Sequence, residues 1–259
     1  MRFIIITGSS HSGTTFVANL LSHARGIEAR HEFFGGRTAM DATVSRIPLR
    51  TLSYYQPNHP MLELTLREQR EQVVARFPEL QTFVDVNSYL TDALDAARRA
   101  LGDVLCFHLV RNGREVVRSQ YNASVLYIRR DRKGRDRGLP IIPNDPSTLE
   151  LWSGYSRFEK ICWFWNDSVS RLLEDGVQLL HLERIVSDYQ YLNERLLKPC
   201  GIPLERDVWY ALKDKRLHRS RFRLKNLLRG RLVKLVWTQK HEARFMAICG
   251  ETMRALGYG

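Results

Sequence analysis

The stretch from Arg2 to Leu21, RFIIITGSSHSGTTFVANLL, decides the fold. It begins with an apolar run at Phe3–Thr7, which is typical of a strand covered on both faces. A turn of small residues follows, and a helical pattern starts at Thr14. Such a junction exposes backbone N–H groups and the positive end of the helix dipole. The sequence therefore predicts an anion-binding loop between this strand and this helix.

The loop lacks the lysine of the common nucleotide-binding motif. Gly8 and Gly13 have the spacing of that motif, but Thr14 occupies the lysine position. In ATP and GTP enzymes the lysine balances charge on the β and γ phosphates, and a carboxylate-held magnesium completes the site. The pattern therefore predicts a nucleotide donor without a γ-phosphate.

Three more β-rich runs follow along the chain, and helical patterns separate them. The runs are Thr82–Val86, Val104–Val110 and Val177–Leu182, and the helical patterns are Thr14–His23, Leu62–Phe77, Leu90–Leu101, Arg114–Tyr127, Leu151–Glu174 and Ile185–Leu197. This alternation predicts an α/β fold in which a parallel sheet is flanked by helices. Ligands of such sheets bind beyond the carboxyl ends of the strands. Ser9–Thr15 and Arg111–Asn112 both follow strands, so we expect them at one edge.

Length and composition indicate a globular enzyme with anionic partners. The 259 residues predict a single domain over 1–259, with a loop at 129–146 and a basic segment at 213–234. The net charge of +12 favours a phosphorylated nucleotide, an acidic acceptor, nucleic acid or a membrane surface. Four widely spaced cysteines predict free thiols. Because no export signal or membrane-spanning run is present, we expect a cytoplasmic protein. No pattern predicts an oligomeric state.

A second motif supports the first. The sequence RNGREVVRS follows the run Val104–Val110, and Arg111 precedes Ser119 by eight positions. An arginine at a strand end and a serine on the next helix can converge on one oxyanion, since the guanidinium supplies a planar fork of donors.

With both motifs in view, the chain resembles the sulfotransferases that use 3′-phosphoadenosine-5′-phosphosulfate (PAPS). GSSHSGTT looks like their 5′-phosphosulfate loop, and HLVRNGREVVRS looks like their 3′-phosphate motif. The resemblance is closer to the bacterial carbohydrate and protein type than to the cytosolic small-molecule type. It implies the sulfotransferase variant of the P-loop fold and metal-free transfer of a sulfuryl group to a hydroxyl or amine. The product would be 3′,5′-adenosine bisphosphate (PAP).

The resemblance also implies the residues that hold PAPS. The loop residues expected to contact it are Ser10, His11, Ser12, Gly13, Thr14 and Thr15. The backbone amides from Ser12 to Thr15 would hold the 5′-phosphosulfate, with help from the Thr14 and Thr15 hydroxyls. Arg111 and Ser119 would hold the 3′-phosphate. No metal is expected.

His11 departs from the family pattern, because most members carry Lys or Arg at this position. A protonated imidazole could replace that cation and act in catalysis. Alternatively, His11 only lines the pocket, and a Lys or Arg from 213–234 supplies the charge.

Transfer to a hydroxyl needs a general base. Glu32, in EARHEFFGGR, is our candidate because the segment resembles the Glu-aromatic-aromatic segment of some bacterial sulfotransferases. The neighbouring phenylalanines would shield its carboxylate from water. Glu28 and His31 are the other candidates for the base. The alternative role for Glu32 is a structural ion pair with Arg30 or Arg37.

Asp85, Asn87 and Ser88 follow another predicted strand. They could orient the acceptor, or Asn87 and Ser88 could cap a helix.

Two other functions compete with sulfuryl transfer. A small-molecule or nucleoside kinase would need the missing lysine and a magnesium carboxylate, for which Asp85 is the available strand-end residue. A non-catalytic nucleic-acid binder would need basic and stacking aromatic residues on one exposed surface. We expect a hydroxylated acceptor, such as a glycan, peptide or natural product, and no nucleic acid.

Overall fold

The computed structural model describes residues 1–34, 49–123, 141–213 and 235–259. The chain divides into two compact units. The first comprises Met1–Arg111 with Arg171–Lys215, and the second comprises Asn112–Ser170 with Arg216–Gly259. The single domain over 1–259 stays a prediction.

The first unit contains a parallel sheet of five strands. These are β1 (Arg2–Thr7), β2 (Ile27–His31), β3 (Thr82–Val86), β4 (Val104–Val110) and β5 (Gln178–His181). Their order is β2-β3-β1-β4-β5, and every neighbouring pair is parallel. Parallel neighbours require crossover connections, which the intervening helices provide.

The described helices follow the strands in chain order. They are α1 (Thr14–Leu21), α2 (Leu49–Tyr55), α3 (Pro60–Arg76), a 3-10 turn (Ser88–Leu90), α4 (Leu94–Leu101), α5 (Gly113–Ala123), α6 (Pro146–Trp152), α7 (Arg157–Glu174), α8 (Leu182–Ser187), α9 (Tyr189–Leu192), a π turn (Asn193–Leu197), α10 (Lys198–Cys200), α11 (Arg206–Leu212) and α12 (Gln239–Ala255). Within the described ranges, no helix is long and apolar enough to cross a membrane.

The strand residues alternate between two buried cores, as the period of a strand requires. In β1, Ile4 and Ile6 enter a core with α1 and the helices from α8 to α11. Phe3 and Ile5 enter a core on the opposite face with α3 and α4. Because both faces are covered, the strands are mostly apolar, as the sequence predicted. The predicted α/β fold with a parallel sheet is confirmed.

In the second unit, helix α5 contacts α12 and the first part of α7. Arg114 on α5 contacts the Glu242 carboxylate through Nε at 3.0 Å and Nη2 at 2.7 Å. Trp237 donates to the same carboxylate at 2.8 Å. A Cβ at Gly113 would lie 2.6 Å from the Trp165 ring, so α5 and α7 meet where no side chain fits.

Several sequence-based element bounds were wrong. Strand β2 was not predicted, and the helix predicted over Leu151–Glu174 is divided into α6 and α7. The predicted helix Ile185–Leu197 is likewise divided into α8, α9 and the π turn. All four cysteines are free, as predicted. Most of the predicted loop at 129–146 and of the basic segment at 213–234 lies outside the described residues.

Candidate functional site

The loop after β1 contains a tight turn with a backbone conformation that is rare for its residue. The Ser12 amide donates to the Ser9 carbonyl at 3.0 Å, which closes a turn over Ser10 and His11. His11 is the third residue of this turn and has φ 72°. Turns with positive φ at that position favour glycine. For a residue with a side chain, this backbone conformation costs on the order of 1–3 kcal/mol, and such conformations are concentrated at functional sites.

Helix α1 begins directly after the turn. Its N-cap, Gly13, has φ 101° and makes no side-chain cap hydrogen bond, and the first helical turn contains no acidic residue. The first amides of a helix have no acceptor within the helix. The Thr14 and Thr15 amides therefore need acceptors from outside the helix, and they lie at the positive end of its dipole.

Two glycines leave room for close neighbours of the loop. A Cβ at Gly8 would lie 2.6 Å from the Leu109 carbonyl oxygen and 2.7 Å from Ser12 Oγ. A Cβ at Gly13 would lie 2.6 Å from Leu182 Cδ2. Both contacts are shorter than real Cβ atoms tolerate, so the sequence needs glycine at both positions.

Ser12 has two groups that could contact a ligand. Its amide donates to the Ser9 carbonyl, so the expected amide contact with a ligand, which stays a prediction, would have to share or replace this hydrogen bond. Its hydroxyl is fully buried and has no hydrogen-bond partner among the described residues. A buried polar group without a partner is costly and calls for an explanation, and a bound ligand is one.

Arg111 lies directly after β4 and reaches the loop. Its Nη1 donates to the His11 carbonyl at 3.2 Å. Arg111 therefore stabilises the strained turn, whatever else it binds. Ser119 lies on α5, in the second unit, so its expected partnership with Arg111 stays a prediction.

Glu32 follows the last residue of β2 at the same sheet edge. Its amide continues the pairing with β3 by donating to the Val86 carbonyl at 3.1 Å. Its φ is 54°, and among the described residues only His11 and Glu32 are non-glycine residues with positive φ. Ser88 Oγ donates to Glu32 Oε1 at 2.7 Å, and the Glu32 side chain is 26% exposed. The carboxylate is thus held in place and remains accessible.

The segment after Glu32 is anchored in the core. The Phe33 and Phe34 amides each donate to one oxygen of the Asp85 carboxylate, both at 2.9 Å. Asn87 Nδ2 donates to the Phe34 carbonyl at 2.6 Å and to Asp85 at 2.7 Å. Phe33 and Phe34 pack against Phe83, with ring centroids 5.2 and 5.9 Å away. The two rings therefore anchor the chain in the core, whereas the sequence predicted that they shield Glu32.

The expected ion pair of Glu32 with Arg30 is not formed, because Arg30 pairs with Glu28. Arg37 lies outside the described residues.

Asn87 had two predicted roles, and one of them is observed. It caps the 3-10 turn, because its side chain accepts a hydrogen bond from the Tyr89 amide at 2.8 Å.

The pH dependence of stability tests the role of Asp85. Burial raises the pKa of this carboxyl from 3.8 to about 6, against the lowering effect of its three N–H donors. Since the folded-state pKa is the higher one, the folded state binds the proton more tightly. The resulting stability is present below about pH 4 and is lost as pH rises through about 6.

Relative to Asp85→Asn, the wild type should lose about 2 kcal/mol of unfolding free energy between about pH 4 and pH 7. Urea unfolding of both proteins across this range measures the difference. Parallel stability curves would contradict the assigned role, because the other acidic groups are shared by both proteins.

His31 is brought to the start of α1. Its Nε2 lies 3.1 Å from Thr14 Oγ1 and 3.3 Å from Thr15 Oγ1. Glu32 Oε1 lies 3.9 Å from the same nitrogen. The sequence suggested His31 only as an alternative base. The contact with α1 was missed because β2 was not predicted.

The described residues thus bring together the loop, Arg111, His31 and Glu32. They include no group of three or more His, Cys, Asp or Glu residues that could hold a metal ion.

No protein-family model matches the chain, and no curated protein matches its sequence. Solved structures do match. One is the sulfotransferase domain of the olefin synthase from Synechococcus PCC 7002, with a TM-score of 0.51 and 13% identity over 97% of this chain and 94% of that domain. At this identity the match shows a shared fold. The predicted fold is therefore confirmed: the chain has the α/β fold of a sulfotransferase domain.

Proposed function

We propose that the chain is a sulfotransferase that moves a sulfuryl group from PAPS to a hydroxyl or amine of an acceptor. The observation that carries this proposal is the loop itself. It has a helix start without a side-chain cap, a buried serine hydroxyl with no partner in the part of the chain that the structure describes, and no lysine, at the edge of a sulfotransferase-like sheet.

The residues of this edge fit the anionic end of such a donor. The Thr14 and Thr15 amides and hydroxyls would hold the 5′-phosphosulfate, and the Ser12 hydroxyl would gain the partner that it lacks among the described residues. Arg111 would hold the 3′-phosphate through its guanidinium group, and the part expected of Ser119 stays a prediction from the sequence. When bound, the donor supplies an activated sulfuryl group.

Glu32 would serve as the general base. Its carboxylate can accept the proton of the acceptor hydroxyl as the new O–S bond forms. Ser88 holds one carboxylate oxygen in place through its 2.7 Å hydrogen bond. The strained φ of 54° at Glu32 supports this role, because such conformations are retained where function needs them.

The kinase alternative is weakened by the contacts of Asp85. Both of its carboxylate oxygens accept hydrogen bonds from the Phe33, Phe34 and Asn87 N–H groups. Asp85 is also fully buried. A magnesium ligand at this position would have to release these anchoring contacts.

Titration calorimetry tests the donor class. The ligands are PAP, AMP, ATP with magnesium, and a single-stranded oligonucleotide. PAP should bind most tightly and should need no added metal. Arg111→Ala should weaken PAP binding by about 1.5–3 kcal/mol, the range for a charge-assisted hydrogen bond.

AMP lacks the 3′-phosphate and serves as the control ligand. Its affinity should change little in Arg111→Ala if Arg111 binds the 3′-phosphate. Equal losses for PAP and AMP would mean that Arg111 acts only by supporting the His11 turn. Tighter binding of ATP with magnesium than of PAP would overturn the proposed function. Radiolabelled PAPS with a panel of hydroxylated acceptors then tests transfer directly.

A further inference from the structure

The proposed donor loop has no lysine, yet an ionisable side chain lies against its helix. His31 ends β2, and its imidazole lies beside the two threonines that begin α1. Residues 27, 29 and 31 share one face of this strand, and Ile27 and Ala29 pack in the core that contains α1. The position of His31 is therefore set by strand pairing and by the packing of β2 against α1.

The hydrogen-bond chemistry of this contact has a direct consequence for an anion. A hydroxyl has one proton to donate. If His31 Nε2 carries hydrogen and donates to a threonine hydroxyl, that hydroxyl can donate to an anion at the helix start. If Nε2 accepts instead, the threonine hydroxyl donates its proton to the ring and has none left for an anion. An Nε2–H group, which the imidazolium and one neutral tautomer both carry, thus leaves the hydroxyl free to donate to an anion, and only the imidazolium adds a positive charge.

Charges of both signs surround the imidazole, since the positive end of the α1 dipole lies beside it and the Glu32 carboxylate faces it. Glu32 Oε1 lies 3.9 Å from Nε2 and is itself held by Ser88. The first turn of α1 contributes no acidic residue that would compete for the imidazole. Arg30 and Glu28 pair with each other at alternate positions of β2. Asp85 on β3 accepts hydrogen bonds from the Phe33 and Phe34 amides. Among the described residues, His11 and Arg111 also lie at the loop, where Arg111 contributes a positive charge.

We infer that His31 is a positioning residue of the donor site, which supplies the N–H and positive charge that the loop lacks and orients the Thr14 and Thr15 hydroxyls toward the phosphosulfate. This inference rests on the proposed function. It assigns to His31 a role that the sequence suggested for His11 or for a residue from 213–234.

The test uses adenosine 5′-phosphosulfate, because its phosphosulfate does not change charge near neutral pH and it has no 3′-phosphate. Its affinity for the wild type should fall about tenfold or more from about pH 5.5 to about pH 8, as histidine loses its proton. His31→Gln should bind weakly at every pH. His31→Lys should bind tightly across the whole range. His23→Gln is the matched control, since His23 lies at the other end of α1 and contacts the Asn19 carbonyl.

A double-mutant cycle tests whether His31 acts through the hydroxyls. His31→Gln, Thr15→Val and the double variant are compared at about pH 6. If His31 orients the hydroxyls, the double variant should bind no more weakly than the worse single variant. Additive losses would overturn the inference, as would a pH profile that is the same in the wild type and His31→Gln.

Steady-state kinetics separates this role from that of a base. His31→Gln should raise KM for the donor more than it lowers kcat. A large fall in kcat with unchanged donor affinity would instead make His31 the base and overturn the inference. If any of these outcomes contradicted the role of His31 but the wild type still bound PAP, the proposed function would remain supported. A wild type that binds neither PAP nor adenosine 5′-phosphosulfate would overturn both.

Discussion

Replacing Glu32 with glutamine is expected to lower kcat about 10²- to 10⁴-fold, the usual contribution of a positioned base. Glutamine keeps the shape of the side chain and can still accept from Ser88, but it cannot take the proton of an acceptor hydroxyl. PAP affinity should therefore stay nearly unchanged. Initial rates at saturating donor and acceptor, with calorimetry on the same protein, measure the two effects separately.

Glu28→Gln is the matched control for this prediction. Glu28 lies four residues earlier on β2, where it pairs with Arg30. Its replacement should leave kcat within about twofold, because an exposed ion pair contributes little. If Glu32→Gln lost rate and PAP affinity equally, Glu32 would have a structural role. A fall in rate together with a large loss of unfolding free energy would lead to the same conclusion.

Replacing Gly13 with alanine should lower the free energy of unfolding by about 2–4 kcal/mol, from overpacking together with an unfavourable φ. The new Cβ would lie 2.6 Å from Leu182 Cδ2, and φ at this position is 101°. Relief of this clash requires movement of the loop or of Leu182. PAP affinity should therefore fall as well, because the amides of α1 would leave their positions.

Gly26→Ala separates the effect of a positive φ from the effect of a close contact at the new Cβ. Gly26 also has a positive φ, of 70°, but no atom of the described residues lies within 4 Å of the place where its new methyl group would stand. It should cost only about 1–2 kcal/mol, the backbone contribution alone. Urea unfolding compares the two variants. Leu182→Ala in the Gly13→Ala background should recover part of the lost PAP affinity. Equal costs at the two glycines, with no recovery, would show that the contact with Leu182 does not matter.

Much of the fold could be predicted because its signals are local. Strands β1, β3 and β4 are short apolar runs bounded by turn residues, and each was predicted with bounds within one residue of those observed. Strand β2 was missed because IEARH carries charged residues at alternate positions and therefore contains no apolar run. An edge strand needs fewer apolar residues, since one of its sides has no neighbour.

The candidate site could be predicted in part for the same reason. The loop and Arg111 follow predicted strands directly, so the parallel topology alone brings them to one edge. Glu32 was a candidate only through the family resemblance, because β2 was not predicted. The role of Asp85 was not predicted. Its sequence position suggested acceptor or magnesium binding, whereas it holds the Phe33 and Phe34 amides. Those contacts cross between segments that are far apart in the chain.

The amino-acid order alone specifies the strand–turn–helix junction of the loop and the absence of lysine from it, because these features depend on residues that are neighbours in the chain. The need for glycine at Gly8 and Gly13 also comes from Leu109 and Leu182, which only the folded chain brings close. Only the tertiary structure decided that His31 lies against Thr14 and that Ser88 holds Glu32. These contacts depend on the register of β2 against β3, in which His31 stands opposite Val86. Register is a property of two distant segments packed on a common core, so no local pattern could specify it.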